Sequence, residues 1–114
     1  MDLKKIQNRL CQFAIDRDWE QFHDPKNLTM ALSVEVSELL EIFQWSKDGG
    51  INEIKDDKTK KEIEREMADV FNYIVRLSDV LDIDLEKIAH MKIDENELKY
   101  PVEKYKGSSR KYNK

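Results

Sequence analysis

Ser33–Trp45, SVEVSELLEIFQW, repeats apolar residues at intervals of three and four, the pattern of an amphipathic α-helix. With about 100° of turn per residue, Glu35 falls between Leu28, Leu32, Leu39 and Ile42, in the middle of the apolar stripe. A carboxylate taken out of water without compensation is costly. The stretch therefore predicts a helix and, with it, an unanswered charge.

Working outward, Asp2 can cap a first helix in which Leu3, Ile6, Leu10, Phe13 and Ala14 follow helical spacing to about Asp18. DWEQFHDPKN then breaks the pattern, and Asn27 is a plausible cap for a helix from Leu28 to about Ser46, ended by Asp48-Gly49-Gly50. Lys58 to Leu81 sustains apolar residues at Ile63, Met67, Val70, Ile74, Leu77 and Leu81 and predicts the longest helix. Asp84 can cap a fourth, with Leu85, Ile88, Ala89 and Ile93 buried until Tyr100-Pro101. An all-α bundle of four main helices is expected, one domain over residues 1–114 with a polar C-terminal tail.

Charged and hydrophobic residues each make up 39% of the 114, with three Gly and two Pro, as suits helices with charged outer faces. A chain this short leaves apolar faces for a partner subunit to complete, so a homo-oligomer is expected. The net charge of −4 divides into +5 on residues 99–114, a basic arm, and −9 on the acidic remainder. Such a body disfavours a long duplex, and no sequence-specific nucleic-acid binding is expected. Cys11 stands alone, excluding an intrachain disulfide or a Cys-built zinc site and fitting a reducing compartment. No 18 apolar residues run together and the N-terminus lacks an apolar leader core, so a soluble cytoplasmic protein without a membrane partner is expected.

Glu66 and Asp69 on the long helix repeat the spacing of Glu35 and Glu38, and Glu66 lies at the edge of its stripe beside Val70, Tyr73 and Leu77. Four gathered carboxylates repel one another, and Arg76, the lone nearby cation in these stripes, cannot neutralise them. A hard divalent cation with oxygen ligands can, and Mg²⁺ or Mn²⁺ suits because substrate phosphate and water complete its octahedron. Glu41, Glu62 and Glu64 belong to the solvated faces.

The pair E35-V-S-E38 followed after 27 residues by E66-M-A-D69 resembles the ExxE…ExxD metal signature of the MazG-like, all-α nucleoside triphosphate pyrophosphatases. RDWEQFHDPKNL (Arg17–Leu28), FQW (Phe43–Trp45), ADVFNYIVRL (Ala68–Leu77) and KIDENELKYPVEKYKGSSRKY (Lys92–Tyr112) look like the branch containing the dCTP pyrophosphatases. The resemblance runs across nearly the whole chain. It implies a tightly paired helical protomer, a dimer or dimer of dimers, that converts a nucleoside triphosphate, dCTP or a modified dCTP, and water into a monophosphate and pyrophosphate in nucleotide-pool cleaning.

The same resemblance implies that Glu35, Glu38, Glu66 and Asp69 hold Mg²⁺ and that Glu38 orients or deprotonates the attacking water. It implies a nucleoside pocket of Trp19, His23, Trp45 and Tyr73, with Glu20, Gln21 and Phe22 in the same matched stretch. Lys92, Asn96 and Tyr100, successive turns of the last helix, match triphosphate contacts, and Lys106, Arg110, Lys111 and Tyr112 match a basic tail that closes over phosphates. Leu10 departs from the pattern, standing where the animal dCTP enzymes carry a pocket histidine, and so leaves the base preference open. The rivals are a dUTP or phosphoribosyl-ATP pyrophosphohydrolase of the same fold and a non-catalytic helical nucleotide-binding or dimerisation module.

Overall fold

The computed structural model describes residues 1–107; Arg110, Lys111 and Tyr112 of the expected phosphate-closing arm lie outside the described residues. The described residues form six α-helices and one 3₁₀ turn and contain no strand. The chain divides into two compact units, residues 1–82 and residues from 83 onward. The first holds α1 (Leu3–Asp16), the 3₁₀ turn (Glu20–Phe22), α2 (Pro25–Phe43), α3 (Ile51–Lys55) and α4 (Asp57–Val80). The second holds α5 (Leu85–Lys99) and α6 (Val102–Tyr105).

In the first unit α4 is the spine, with α2 packed most extensively along it and α1 and α3 against it as well. Four helices start on an aspartate whose carboxylate accepts a backbone N–H three residues on: Asp2 for α1, Asp24 for α2, Asp56 for α4 and Asp84 for α5. Ala14, Leu28, Ile63 and Val75 form the buried apolar centre. Leu32, Leu39 and Ile42 are half-buried around Glu35, as the stripe predicted.

α2 begins three residues before the sequence suggested. Pro25 occupies its first turn, where a missing N–H costs nothing, and Asp24 is the cap. Asn27 is instead clamped to that cap: its N–H donates to Asp24 Oδ1 at 2.7 Å, and its side-chain amide donates to Asp24 Oδ2 and to the Phe22 carbonyl, both at 3.1 Å. α2 also ends early, at Phe43, which leaves Trp45 outside the helix and 84% exposed. The turn that follows is built by short polar contacts. The Gly50 N–H donates to Ser46 Oγ at 2.8 Å and the Asn52 N–H to Asp48 Oδ2 at 3.1 Å. Gly50, at φ +96°, lies so close to the Phe43 ring that a Cβ would come within 2.9 Å of it.

α1 closes in a Schellman motif. Trp19 N–H donates to Ala14 O at 2.9 Å and Asp18 N–H to Ile15 O at 3.0 Å, with Asp18 left-handed at φ +55°. Two expectations for the apolar stripes fail. Met67 is 57% exposed on α4, and no residue of α5 is buried, Ile88 and Ile93 being 43% and 53% exposed. The apolar residues of α5 are spread around its circumference, so no single face dominates.

Because Asp24 both caps α2 and holds Asn27 against the 3₁₀ turn, Asp24→Ala is expected to cost about 1 kcal/mol. A thermal melt should show Tm lower by roughly 3–6 °C.

Candidate active site

α2 and α4 each carry two acids one turn apart, and their packing brings the pairs face to face. One carboxylate oxygen from each of Glu35, Glu38 and Glu66 lies within 4.8 Å of the other two. Glu35 and Glu66 are half-buried, while Glu38 and Asp69 are exposed. The Oε2 atoms of Glu35 and Glu66 are both sealed from solvent without a hydrogen-bond partner. Arg76 does not relieve them, for its guanidinium serves His23 and Asp79 instead.

Burial, reinforced by the neighbouring Glu38, Glu66 and Asp69, pushes the Glu35 carboxyl up to about 7. Burial likewise raises Glu66, with the charges of Glu38 and Asp69 adding to the push and the adjacent Glu35 carboxyl opposing it. At neutral pH the Glu35 carboxyl is thus still partly protonated, where a free carboxyl would have shed its proton. Two orphaned buried oxygens among acids of like charge, with no basic side chain paired to them among the described residues, fit a hard divalent cation.

Beside the acids a cavity of about 370 Å³ opens on the same face of α4, where Asp69, Asn72, Tyr73 and Arg76 line it at successive helical turns. Leu10 and Phe13 from α1, with Trp19 and His23 flanking the 3₁₀ turn, form the facing wall. Trp19 meets Phe13 edge to face, ring centroids 5.7 Å apart. Tyr73 bridges acids and cavity: burial first, then the charges of Glu35 and Asp69, hold its phenol above the usual range. His23 Nδ1 accepts from Arg76 Nε at 3.0 Å. Burial and the Arg76 charge lower the His23 pKa against the opposing pull of Glu20, so the ring is neutral at pH 7 with its proton on Nε2.

Three of the four expected acids therefore cluster, and Asp69 links them to a cavity that contains Trp19, His23 and Tyr73. The exposed Glu20, Gln21 and Phe22 do not line it, and the Gln21 amide is bonded to the Asp18 carbonyl at 3.0 Å. Nor does Trp45. Lys92, Asn96 and Tyr100 belong to the second unit, where Lys92 pairs with Glu95 at 3.2 Å, Asn96 O accepts the Tyr100 N–H and Tyr100 stacks edge-on against Tyr105. Phe13 and Asn72 were not anticipated. The spacing 69-72-73-76 was the available signal, for it continues one helical face beyond the recognised acid.

A Glu35 pKa raised in the fold stabilises the metal-free chain below about pH 4.5 and withdraws that support as pH rises towards 7, because the folded state keeps a proton the unfolded chain releases. Melts in chelator should show Tm falling across this window. Glu35→Gln should flatten the fall and stabilise the metal-free protein at pH 8 by about 1–2 kcal/mol, the relief of one buried unpaired oxygen.

Residues 30–114 match the MazG-like family. The dCTP pyrophosphatase 1 proteins of Rattus norvegicus and Homo sapiens are each 40% identical over 111 residues, 96% of this chain, which spans 65% of their length. The crystal structure of a pyrophosphatase from Archaeoglobus fulgidus superposes with a TM-score of 0.81 at 39% identity, covering 89% of this chain and 94% of that one. An acid pair on each of two packed helices, an all-helical fold and a family match over three quarters of its length make this chain a member of the MazG-like family.

Proposed function

We propose that this chain is a Mg²⁺-dependent nucleoside triphosphate pyrophosphohydrolase that converts dCTP, or a modified dCTP, and water into the monophosphate and pyrophosphate. The observation that carries it is the adjacency of two unpartnered buried carboxylate oxygens to an aromatic-lined cavity large enough for a nucleoside. Relatives named dCTP pyrophosphatase 1 and a structural neighbour named a pyrophosphatase support it.

Glu35, Glu38, Glu66 and Asp69 would hold the ion, which when bound supplies positive charge to phosphate oxygens and acidity to water. Glu38, an exposed acid of the cluster, would accept the proton of the attacking water. Trp19 and Tyr73 pack the flat faces of base and sugar, and the neutral His23 offers an Nε2–H to an acceptor on the nucleoside. Lys92, Asn96 and Tyr100, with the basic residues among 99–114, would contribute triphosphate contacts within the same proposed domain. Mn²⁺ would serve as Mg²⁺ does. A cytoplasmic house-cleaning role follows from a substrate that belongs to the nucleotide pool, and no described helix is long and apolar enough to cross a membrane.

A homo-oligomer is part of the same proposal. Val36, Leu40 and Met67 are 47%, 63% and 57% exposed on α2 and α4, and large apolar side chains on two adjacent helices suit a covering subunit.

Glu38→Gln and Asp69→Asn are each expected to lower turnover of dCTP by roughly 100-fold or more while leaving the circular dichroism unchanged. Chelator should abolish the activity of the unaltered chain; monophosphate appearing at an undiminished rate would refute the proposal. Light scattering should give a mass of at least two chains, and Leu40→Glu should shift it towards one.

A further inference from the structure

Arg76 is 8% exposed, and its only ionic partner among the described residues is Asp79, at 3.4 Å. Its Nε–H is committed to His23 Nδ1 and one Nη1–H to Asp79. A guanidinium has five N–H donors and no acceptor. Three of these donors meet no protein acceptor among the described residues, on a side chain that lines the cavity. No Arg76 nitrogen is both sealed from solvent and unpartnered, so the spare donors open onto the cavity, where a ligand can replace water as their acceptor.

The position narrows what that something is. Arg76 lies seven residues beyond Asp69 on α4, about 10 Å along the axis at 1.5 Å per residue. A triphosphate engaged at the acids would therefore present to Arg76 its base, not its phosphates. His23 adds a further donor, because its Nδ1 is occupied as an acceptor and its proton must sit on Nε2. This end of the cavity offers donors to whatever enters.

From this we infer that Arg76, held in register by His23, reads the base and selects cytosine by donating to its adjacent O2 and N3 acceptors. Cytosine presents two neighbouring acceptors that match the planar fork of a guanidinium. Uracil and thymine carry N3–H where cytosine carries a lone pair, so a donor would face a donor. The inference rests on the nucleotide-hydrolase proposal above and supplies the base discrimination that Leu10, an apolar side chain in the same wall, cannot.

The test is calorimetric binding of dCMP, dUMP, dTMP, dGMP and 3-deaza-dCMP, in which N3 is replaced by C–H, to the full chain without divalent ion. The unaltered protein should bind dCMP at least roughly 10-fold more tightly than dUMP, dTMP or 3-deaza-dCMP, the value of one good hydrogen bond to a charged donor. Arg76→Met should bring dCMP and dUMP within about 3-fold of each other, and Arg76→Lys should fall between, keeping the charge but losing the fork. Equal affinity for dCMP and 3-deaza-dCMP, a preference for dGMP, or an Arg76→Met protein that keeps the cytosine preference would each overturn the inference. The 3-deaza comparison needs no substitution, so it decides even where Arg76→Met fails to fold. Preference for dCMP in a chain that hydrolyses no triphosphate would uphold the base reader and defeat the proposed reaction; hydrolysis without base preference would do the reverse.

Discussion

Like-charge crowding between α2 and α4 is the constraint around which the first unit is arranged. Each helix brings two carboxylates to the contact, and the two that reach deepest, Glu35 and Glu66, each keep an oxygen that neither water nor protein satisfies. Natural folds carry few such groups, because each forfeits the hydrogen bonds it made in water. That the fold tolerates them follows from apolar burial elsewhere on the same helices, where Leu28 of α2 and Ile63 and Val75 of α4 are buried. Apolar burial along the helices outweighs a local repulsion, which leaves the cluster suited to the cation proposed for it.

The cavity obeys a complementary logic. Its two walls come from elements with different duties: α4 provides Asp69, Asn72, Tyr73 and Arg76 in helical register, while α1 and the segment after it provide Leu10, Phe13, Trp19 and His23. The bond between Arg76 and His23, 53 residues apart in sequence, stitches these walls together. It also sets the tautomer of the histidine and withholds Arg76 from the acids. Positive and negative ends of the site are thereby kept apart on one helix face, as the proposed nucleotide, with phosphate at one end and a neutral base at the other, would require.

Much of this was legible in the residues. The period of apolar positions located α1, α2 and α4, and Asp2 and Asp84, read as able to cap, are the caps of α1 and α5. Glu35 within a stripe revealed the cluster. The errors arose where local polar chemistry overrode periodicity. Pro25 begins a helix rather than preventing one once Asp24 stands before it, and Ser46, Asp48 and Gly50 assemble a turn that ends α2 before Trp45. The pairing of Arg76 with His23 was illegible for a different reason: it depends on the packing of α1 and α4, which one-dimensional spacing does not encode. The buried side expected for α5 failed because a few apolar residues in a charged helix do not define a face.

The segment from Trp19 to His23 is anchored at both ends, by the Schellman bonds to Ala14 and Ile15 and by the Asp24–Asn27 clasp on the Phe22 carbonyl. None of these bonds involves Leu10 or Phe13, the apolar panels of the same chamber. Scaffold and upholstery are therefore separable at Leu10, while Phe13 also bears on the Trp19 ring. Exchanging the Leu10 panel would reshape the room while the backbone bonds of its door frame stay in place, a low-risk route to a different guest.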